Sequence, residues 1–328
     1  MSADLTWAEL PVATMLAEYD LGKCRWKEMG PCLKVETSRG LFRLKCFAYP
    51  ASEFPFIFAL VQYLTEREFP RPEQILITSR GQLGITIAGQ FFYLAVWQEG
   101  LTNYELDQEA LIEVGELLGS FHRHSQGFQP GISIHPARTQ WGKWPGKLMD
   151  RYRDLQKYVM LARMGNTPFD RLFSQNVSGV LLRAEAAVDH LKRLTYYDDV
   201  VKADERARYV CHRDFIPRNL VLDPSGILVP IDFDNAAYAE RIDDLAKMIR
   251  FFAHWQPDRA EALLSGYNRW FSLQVEEVQL ITAFLEFPME YWQLGRHVYE
   301  RGRTRLKELE QWMRVERRKT ECLSNLRG

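Results

Sequence analysis

The stretch 209–246, YVCHRDFIPRNLVLDPSGILVPIDFDNAAYAERIDDLA, places acidic residues at the ends of short apolar runs. Asp214 follows the run that ends at Cys211, Asn219 comes five residues later, and Asp232 closes the run ILVPI. Carboxylates do not help a hydrophobic core, because a buried charge is costly unless it is paired or binds a metal. The stretch therefore indicates a polar site built where short strands end.

The centre of this stretch predicts a β-hairpin. The apolar runs LVL and ILVPI are separated by DPSG, in which Asp223, Pro224 and Gly226 suit positions i, i+1 and i+3 of a type I turn. A hairpin brings its two ends together, so we expect Asn219 at its start to lie close to Asp232 at its end. With Asp214 just before the hairpin, the groups that bind a metal or accept a proton converge.

Phosphoryl transfer requires such a set of groups. One carboxylate accepts the proton of the attacking hydroxyl, while an Asn and a second carboxylate hold Mg²⁺ against the nucleotide phosphates. The kinase catalytic loop H-R-D-x-x-x-x-N is present as His212, Arg213, Asp214 and Asn219. We therefore predict Asp214 as the catalytic base, Asn219 and Asp232 as metal ligands, and His212 and Arg213 as supports of the loop. A loop with ordinary turn acids is the alternative.

Upstream positions complete a predicted ATP site. Alternation in LFRLKCF places Lys45 on the face opposite Leu44, where it is predicted to contact phosphate, although an isolated Lys in a strand is usually just exposed. A kinase pairs this lysine with a glutamate of the next helix, but Gln62 stands at the expected position. Gly30 is the single glycine of the predicted phosphate-covering loop. The backbone of Val96 to Gln98 is predicted to meet adenine, although core packing explains their apolar neighbours equally well.

The segment DDLA opens a predicted helix. Asp243 or Asp244 is either its N-cap, a position that favours Asp, or, in the case of Asp244, a residue that fixes the catalytic loop through its backbone. Both roles are structural.

Composition excludes several classes of protein. The 328 residues are 46% hydrophobic and 26% charged, with a net charge of −1, so no overall field favours nucleic acid or a membrane surface. The most apolar run, FPFIFALVQYL, is too short to span a bilayer. The first residues show no basic segment followed by an apolar core, so we expect no secretion signal. Five widely spaced cysteines predict free thiols.

The chain divides into a strand-rich beginning and a helical remainder. Short β-like runs and one helix fill residues 22–100, and helical patterns dominate afterwards. We therefore predict an α+β fold with a β-rich nucleotide lobe over residues 1–100 and a larger helical lobe over 101–328, which carries the catalytic loop and the acceptor site.

Beyond these motifs, the sequence resembles the aminoglycoside-phosphotransferase-like kinases, and within them the CotS-type spore-coat proteins of endospore-forming bacteria. The segments that carry the resemblance are RLKCF, YLTEREFPRP, GELLGSFHRHSQGF, WGKWP, CHRDFIPRN, IDFDNAAYAERIDDLAKMIRF and FLEFPMEYWQLGRHVY. The resemblance implies a protein-kinase-like fold with two lobes. It also implies association with the spore coat, in the mother-cell cytoplasm or the coat itself, with other coat proteins as partners.

Two functions from different classes follow. In the first, the protein is an ATP- and Mg²⁺-dependent kinase of a small molecule with an alcohol group. In the second, it is a non-catalytic kinase-fold component of the coat, which the Gln62 substitution and the sparse glycine loop favour. A protein kinase is a third reading, but the gap between Asp232 and DDLA is too short for a peptide platform. The acceptor is unidentified, and the candidates to line its site are His122, His124, Trp141 and Trp144. For the two tryptophans, packing in the core is the alternative.

Overall fold

The computed structural model describes residues 6–102 and 104–327, which form antiparallel β-sheet in the first part of the chain and mainly helix in the rest. The strands are β1 (Arg25–Met29), β2 (Cys32–Thr37), β3 (Gly40–Phe47), β4 (Ile75–Leu76), β5 (Ile85–Ile87), β6 (Gln90–Val96), β7 (Val210–Cys211), β8 (Leu220–Leu222), β9 (Leu228–Pro230) and β10 (Ala237–Tyr238). The helices are α1 (Val12–Ala17), α2 (Phe54–Glu66), α3 (Gln108–Ser125), α4 (Trp144–Met164), α5 (Pro168–Arg193), α6 (Tyr197–Ala207), α7 (Arg241–Phe252), α8 (Pro257–Tyr267), α9 (Val275–Glu286), α10 (Met289–Tyr299) and α11 (Leu306–Arg327).

Strands β1, β2 and β3 form an antiparallel meander, in agreement with the short β-like runs in this part of the sequence. The largest sheet has the order β1-β2-β3-β6-β4, with β5 also paired to β6. One face of β3 presents Phe42 and Leu44 to a cluster of buried residues that includes side chains of α1. Lys45 lies on the other face, directly opposite Tyr93 of β6. Because side chains alternate along a strand, Lys45 points away from the cluster that Leu44 contacts.

The hairpin predicted from DPSG is also confirmed. Strands β8 and β9 pair from Leu220 opposite Pro230 to Leu222 opposite Leu228. The amide of Gly226 donates to the carbonyl of Asp223 at 2.9 Å, which closes the turn. The amide of Ile231 donates to the carbonyl of Asn219 at 2.9 Å. The two ends of the hairpin therefore meet, as the predicted site requires.

The first long helix follows its sequence pattern. In α3, Leu111, Val114, Leu118 and Phe121 are all buried, as their common helical face predicts. Asp107 precedes the helix, and its carboxylate accepts a hydrogen bond of 2.9 Å from the amide of Ala110. The side chain of Asp107 thus caps the start of this helix.

The structure separates into two compact units that do not follow one boundary in the sequence. One unit contains the described residues up to Glu105, together with Ser120–Thr139 and Arg208–Tyr238. The other contains Leu106–Gly119, Gln140–Ala207 and the described residues from Ala239 onwards. The catalytic loop thus belongs to the same compact unit as the main sheet. The division into lobes at residue 100 is a different partition and stays a prediction.

Two expectations from composition concern thiols and membranes. All five cysteines are free, two of them only partly buried. Among the helices of residues 6–102 and 104–327, none combines the length and the apolar character that crossing a bilayer requires.

Candidate active site

The catalytic loop is held by its own polar groups. Asn219 donates its side-chain amide to the carboxylate and to the backbone carbonyl of Asp214, both at 2.9 Å. The ring of His212 is fully buried, and its Nδ1 accepts the amide of Asp214 at 3.3 Å. Its Nε2 then carries the proton and donates to the carbonyl of Ile231 at 3.2 Å. The loop and the end of the hairpin are thus fixed to each other, with the Asp214 side chain 23% exposed.

Arg213 and Asp232 adopt left-handed backbone conformations, with φ of 64° and 68°. Residues other than glycine rarely adopt this region, which is common at functional sites. The guanidinium of Arg213 lies 3.5 Å from the carbonyl of Asn235. Arg213 therefore contacts the segment after Asp232, and its supporting role stays a prediction.

Lys45 lies between two carboxylates. Its ammonium is 2.6 Å from Oδ1 of Asp232 and 2.8 Å from Oδ2 of Asp234. Burial disfavours the charged ammonium, but Asp234 and then Asp232 outweigh it, so the pKa of Lys45 is raised. Burial likewise opposes charge on Asp232, yet Lys45 holds the pKa of that carboxyl below its usual value. The sequence placed Lys45 and Asp232 at one site, and the structure brings them into contact.

The residues around Asp232 are suited to a divalent cation. Because Asn219 donates its nitrogen to Asp214, its Oδ1 faces away from that bond, and Asp232 uses Oδ1 for Lys45. Within the residues that the structure describes, Oδ1 of Asn219 and Oδ2 of Asp232 accept no hydrogen bond. Carboxylate and amide oxygens are the protein ligands that Mg²⁺ prefers. This donor set therefore fits the predicted metal.

The prediction that Gln62 partners Lys45 is wrong. Gln62 is exposed on α2, whereas Phe54, Ile57 and Val61 of that helix are buried. The face of the helix that packs inwards is apolar, so position 62 points to solvent. Lys45 finds its carboxylates at the end of the hairpin instead.

We expect Gln62→Glu to change neither stability nor nucleotide binding. A charge on an exposed helix position away from other features alters the free energy of unfolding by less than about 0.5 kcal/mol. Melting temperature and Mg·ADP affinity, measured on the variant and on the parent protein, test this. A gain in affinity would mean that the helix turns to bring residue 62 to Lys45.

Sequence analysis missed a buried ion pair beside the site. Glu53, in the turn before α2, is 4% exposed and lies 2.8 Å from Nε of Arg138. Arg138 is also buried, and its Nη1 donates to the carbonyls of Asp234 and Ala236 at 2.7 and 2.9 Å. A signal was present, because Glu53 is a charge directly before the apolar run FPFIFAL. The sequence around Arg138, which lies 85 residues after Glu53, contains no such signal.

Asp234 was also missed as a site residue. Its side chain is 5% exposed, and its Oδ1 accepts the hydroxyl of the fully buried Tyr93 at 2.8 Å. Burial raises the pKa of Asp234, although Lys45 opposes the shift. The sequence signal was the unusual Asp-Phe-Asp, in which a second acid stands two residues after the predicted metal ligand.

The predicted phosphate-covering loop is a tight turn. Gly30 and Pro31 join β1 to β2 with Met29 opposite Cys32, and Gly30 has a φ of 62°. A glycine with positive φ before a proline fits a type II′ hairpin. Because proline has no N–H, the turn offers a phosphate the single amide of Gly30. The role of Gly30 stays a prediction.

In the segment predicted to contact adenine, two of the three backbone amides already donate hydrogen bonds to neighbouring segments of the chain. The amide of Val96 donates to the carbonyl of Gln74 at 2.8 Å, and that of Trp97 donates to Leu41 at 2.9 Å. In the described part of the chain, the amide of Gln98 has no such bond. If this segment meets adenine, Gln98 is the residue with a donor to offer, whereas Val96 is limited to its carbonyl.

The residues expected at the acceptor site divide into core and surface. His122 is fully buried, and Trp144 is stacked on Phe284 at 4.2 Å while its indole N–H donates to Asp243. These two residues therefore belong to the interior. For Trp144 the core alternative holds, and the proposed contact of His122 with the acceptor is wrong. His124 is partly buried, with Nδ1 on the carbonyl of Ser120 of its own helix. Trp141 is partly exposed in the turn before α4 and stays a candidate.

Helix α7 begins at Arg241 with Glu240 before it, so Asp243 and Asp244 lie inside its first turn. The alternative that one of them is the N-cap is wrong. Asp244 is fully buried, which suits a structural role, and its contact with the catalytic loop stays a prediction.

Comparisons with known proteins agree with this geometry. The model of the phosphotransferase enzyme family (APH) matches residues 33–278. Homoserine kinase of Zymomonas mobilis subsp. mobilis is 25% identical over 230 residues, which are 69% of this chain and 63% of that protein. The match thus spans less than two thirds of the length of this curated relative.

Solved structures show the same fold. An aminoglycoside phosphotransferase from Alicyclobacillus acidocaldarius superposes with a TM-score of 0.82 at 20% identity, over 99% of this chain and 98% of its own. A microcompartment-associated aminopropanol kinase superposes with a TM-score of 0.63 at 15% identity, over 96% and 98%. The predicted α+β, kinase-like fold is confirmed, and the chain belongs to the phosphotransferase enzyme family.

Proposed function

We propose that this protein transfers the γ-phosphoryl group of ATP to a hydroxyl of a small molecule. The observation that carries the proposal is the meeting of Asp214, Asn219, Asp232 and Lys45 within one compact unit. Among the similar proteins, one is a homoserine kinase and another an aminopropanol kinase, both named for small molecules with an alcohol group. The acceptor proposed here belongs to that chemical class.

Each side chain has a distinct role in this reaction. Asp214 accepts the proton of the acceptor hydroxyl as its oxygen attacks the γ-phosphorus and the bond to the β-phosphate oxygen breaks, releasing ADP. Asn219 orients Asp214 with its nitrogen and offers its oxygen to the metal, together with Asp232. Lys45 binds phosphate oxygens through its ammonium. When bound, Mg²⁺ neutralises the charge that develops on the phosphates.

The finer assignment to the spore coat rests on sequence resemblance alone. The single amide of the Gly30 turn favours a second candidate, a kinase-fold coat component whose nucleotide site is vestigial. The two candidates differ in whether the protein binds and turns over nucleotide.

We expect Mg·ADP to raise the melting temperature of the protein. A ligand that binds the native state alone stabilises it by about 2.7 kcal/mol at a hundred times its Kd. Melting curves with ADP should shift when Mg²⁺ is present and lose most of the shift when EDTA is added, and calorimetry should give a matching Kd. Gln62→Glu is the control variant that keeps the shift.

Turnover completes the test. ADP release from ATP should rise when a small amino alcohol or hydroxy amino acid is added, with homoserine and aminopropanol as first members of the panel. Nucleotide binding without turnover on any acceptor would favour the coat component, and absence of Mg·ADP binding would overturn the proposed site.

A further inference from the structure

The ammonium of Lys45 is shared by two carboxylates of unequal character. Asp232 is the more exposed, with 26% of its side chain accessible, and its Oδ1 lies on Lys45. Asp234 is 5% exposed and is held from several directions. Tyr93 donates its hydroxyl to Oδ1 of Asp234 at 2.8 Å, and Arg138 donates to its backbone carbonyl at 2.7 Å. Asp232 is therefore the carboxylate more accessible to a ligand, whereas Asp234 is held by its neighbours.

Two neighbouring acids, Glu53 and Glu73, have cations of their own. Glu53 pairs with Arg138, and Glu73 pairs with Arg43. Arg43 lies two residues before Lys45, so both side chains are on the same face of β3. The next helix presents an exposed Gln62 in place of a glutamate. If Asp232 binds a metal, Asp234 is the carboxylate that stays in contact with Lys45.

We propose that Asp234, oriented by Tyr93, is the positioning residue that holds Lys45 for the nucleotide phosphates, in the role that protein kinases give to a glutamate of the helix. Asp234 acts through Lys45 and does not touch the nucleotide. The inference rests on the proposed function, because it concerns the grip of Lys45 on phosphate.

The consequence is a division of labour between the acids of Asp-Phe-Asp. In the absence of nucleotide, the two carboxylates share one ammonium. With Mg·ATP bound, Asp232 would hold the metal, and Lys45 would keep a charge-assisted contact with Asp234 that fixes its direction. A lysine on a flexible four-carbon stem loses less freedom on binding when one partner already orients it.

A double-mutant cycle tests this proposal. Asp234→Asn keeps the shape of the side chain and removes its charge, and it should weaken Mg·ADP binding by about tenfold or more, the usual effect of losing a hydrogen bond between charged groups. In a Lys45→Met background, the same change should cost no further affinity, because residues that act through one another are not additive. Tyr93→Phe should give a smaller loss that also disappears with Lys45→Met.

Glu277→Gln serves as the matched control, since it neutralises a buried acid that pairs with Arg241 and not with a group that holds Lys45. Its effect on Mg·ADP affinity, measured by calorimetry, should be the same with and without Lys45. Equal losses from Asp234→Asn in both backgrounds, or no loss at all, would overturn the positioning role. If Asp234→Asn fails to fold, the Tyr93→Phe cycle decides in the same way. A parent protein that binds no Mg·ADP would instead overturn the proposed function, and this inference with it.

Discussion

Asp214→Asn is expected to lower the turnover rate by about 10²–10⁴-fold, the usual contribution of general base catalysis. The amide cannot take the proton of the acceptor hydroxyl. Its oxygen can still accept the hydrogen bond from Asn219, so the loop and the metal ligands should keep their positions. Mg·ADP affinity should therefore change little. Single-turnover rates with a working acceptor, and calorimetry on the same preparation, give the two quantities.

Asp232→Asn is the contrasting variant. Its carboxylate faces Lys45 and offers an oxygen to the metal, so its loss should reduce Mg²⁺-dependent ADP binding itself. Without metal, Lys45 retains Asp234, and stability should suffer less than binding. If Asp214→Asn and Asp232→Asn weakened Mg·ADP binding equally, the assignment of one to the proton and the other to the metal would be wrong.

Arg138→Met is expected to lower the free energy of unfolding by about 3–5 kcal/mol, the cost of removing one partner from a buried ion pair. The change leaves the buried carboxylate of Glu53 without its cation. It also removes the hydrogen bonds to the carbonyls of Asp234 and Ala236, and the guanidinium that lies 5.1 Å from the ring of Tyr49. Urea unfolding curves of the variant and the parent protein measure the loss.

Arg153→Met is the matched control. Arg153 pairs with Asp150 at 3.2 Å on the surface, with both side chains more than two-thirds exposed, so its loss should cost less than about 1 kcal/mol. Similar losses from Arg138→Met and Arg153→Met would show that the buried pair contributes no more than a surface pair does.

The parts of the site that the sequence predicted are those set by local chain geometry. The turn at Asp223 and the alternation of β8 and β9 bring Asn219 and Asp232 together within fourteen residues of chain. The alternation of β3 likewise predicts the face of Lys45. The alternation of apolar residues and the residue preferences of a turn depend on neighbouring residues only. A single sequence is therefore sufficient to predict them.

The errors and omissions concern groups that only tertiary packing brings together. The distance in sequence from Lys45 to Gln62 does not show which face of α2 packs inwards. In the structure the apolar face does, and Gln62 lies on the exposed face. Arg138 meets Glu53 from a position 85 residues later in the sequence, and Tyr93 meets Asp234 across 141 residues. No spacing rule connects such partners. The local hints were a charge next to an apolar run, at Glu53, and the second acid of Asp-Phe-Asp.

The short segment that follows Asp232 is tied down along its length. Ala237 and Tyr238 of β10 pair with Cys211 and Val210 of β7, immediately before the catalytic loop, and Arg138 binds carbonyls at Asp234 and Ala236. In protein kinases, the chain after this aspartate is a switch that phosphorylation orders. Here the order is built in by strand pairing and a buried guanidinium. We therefore expect that this segment needs no phosphorylation to become ordered.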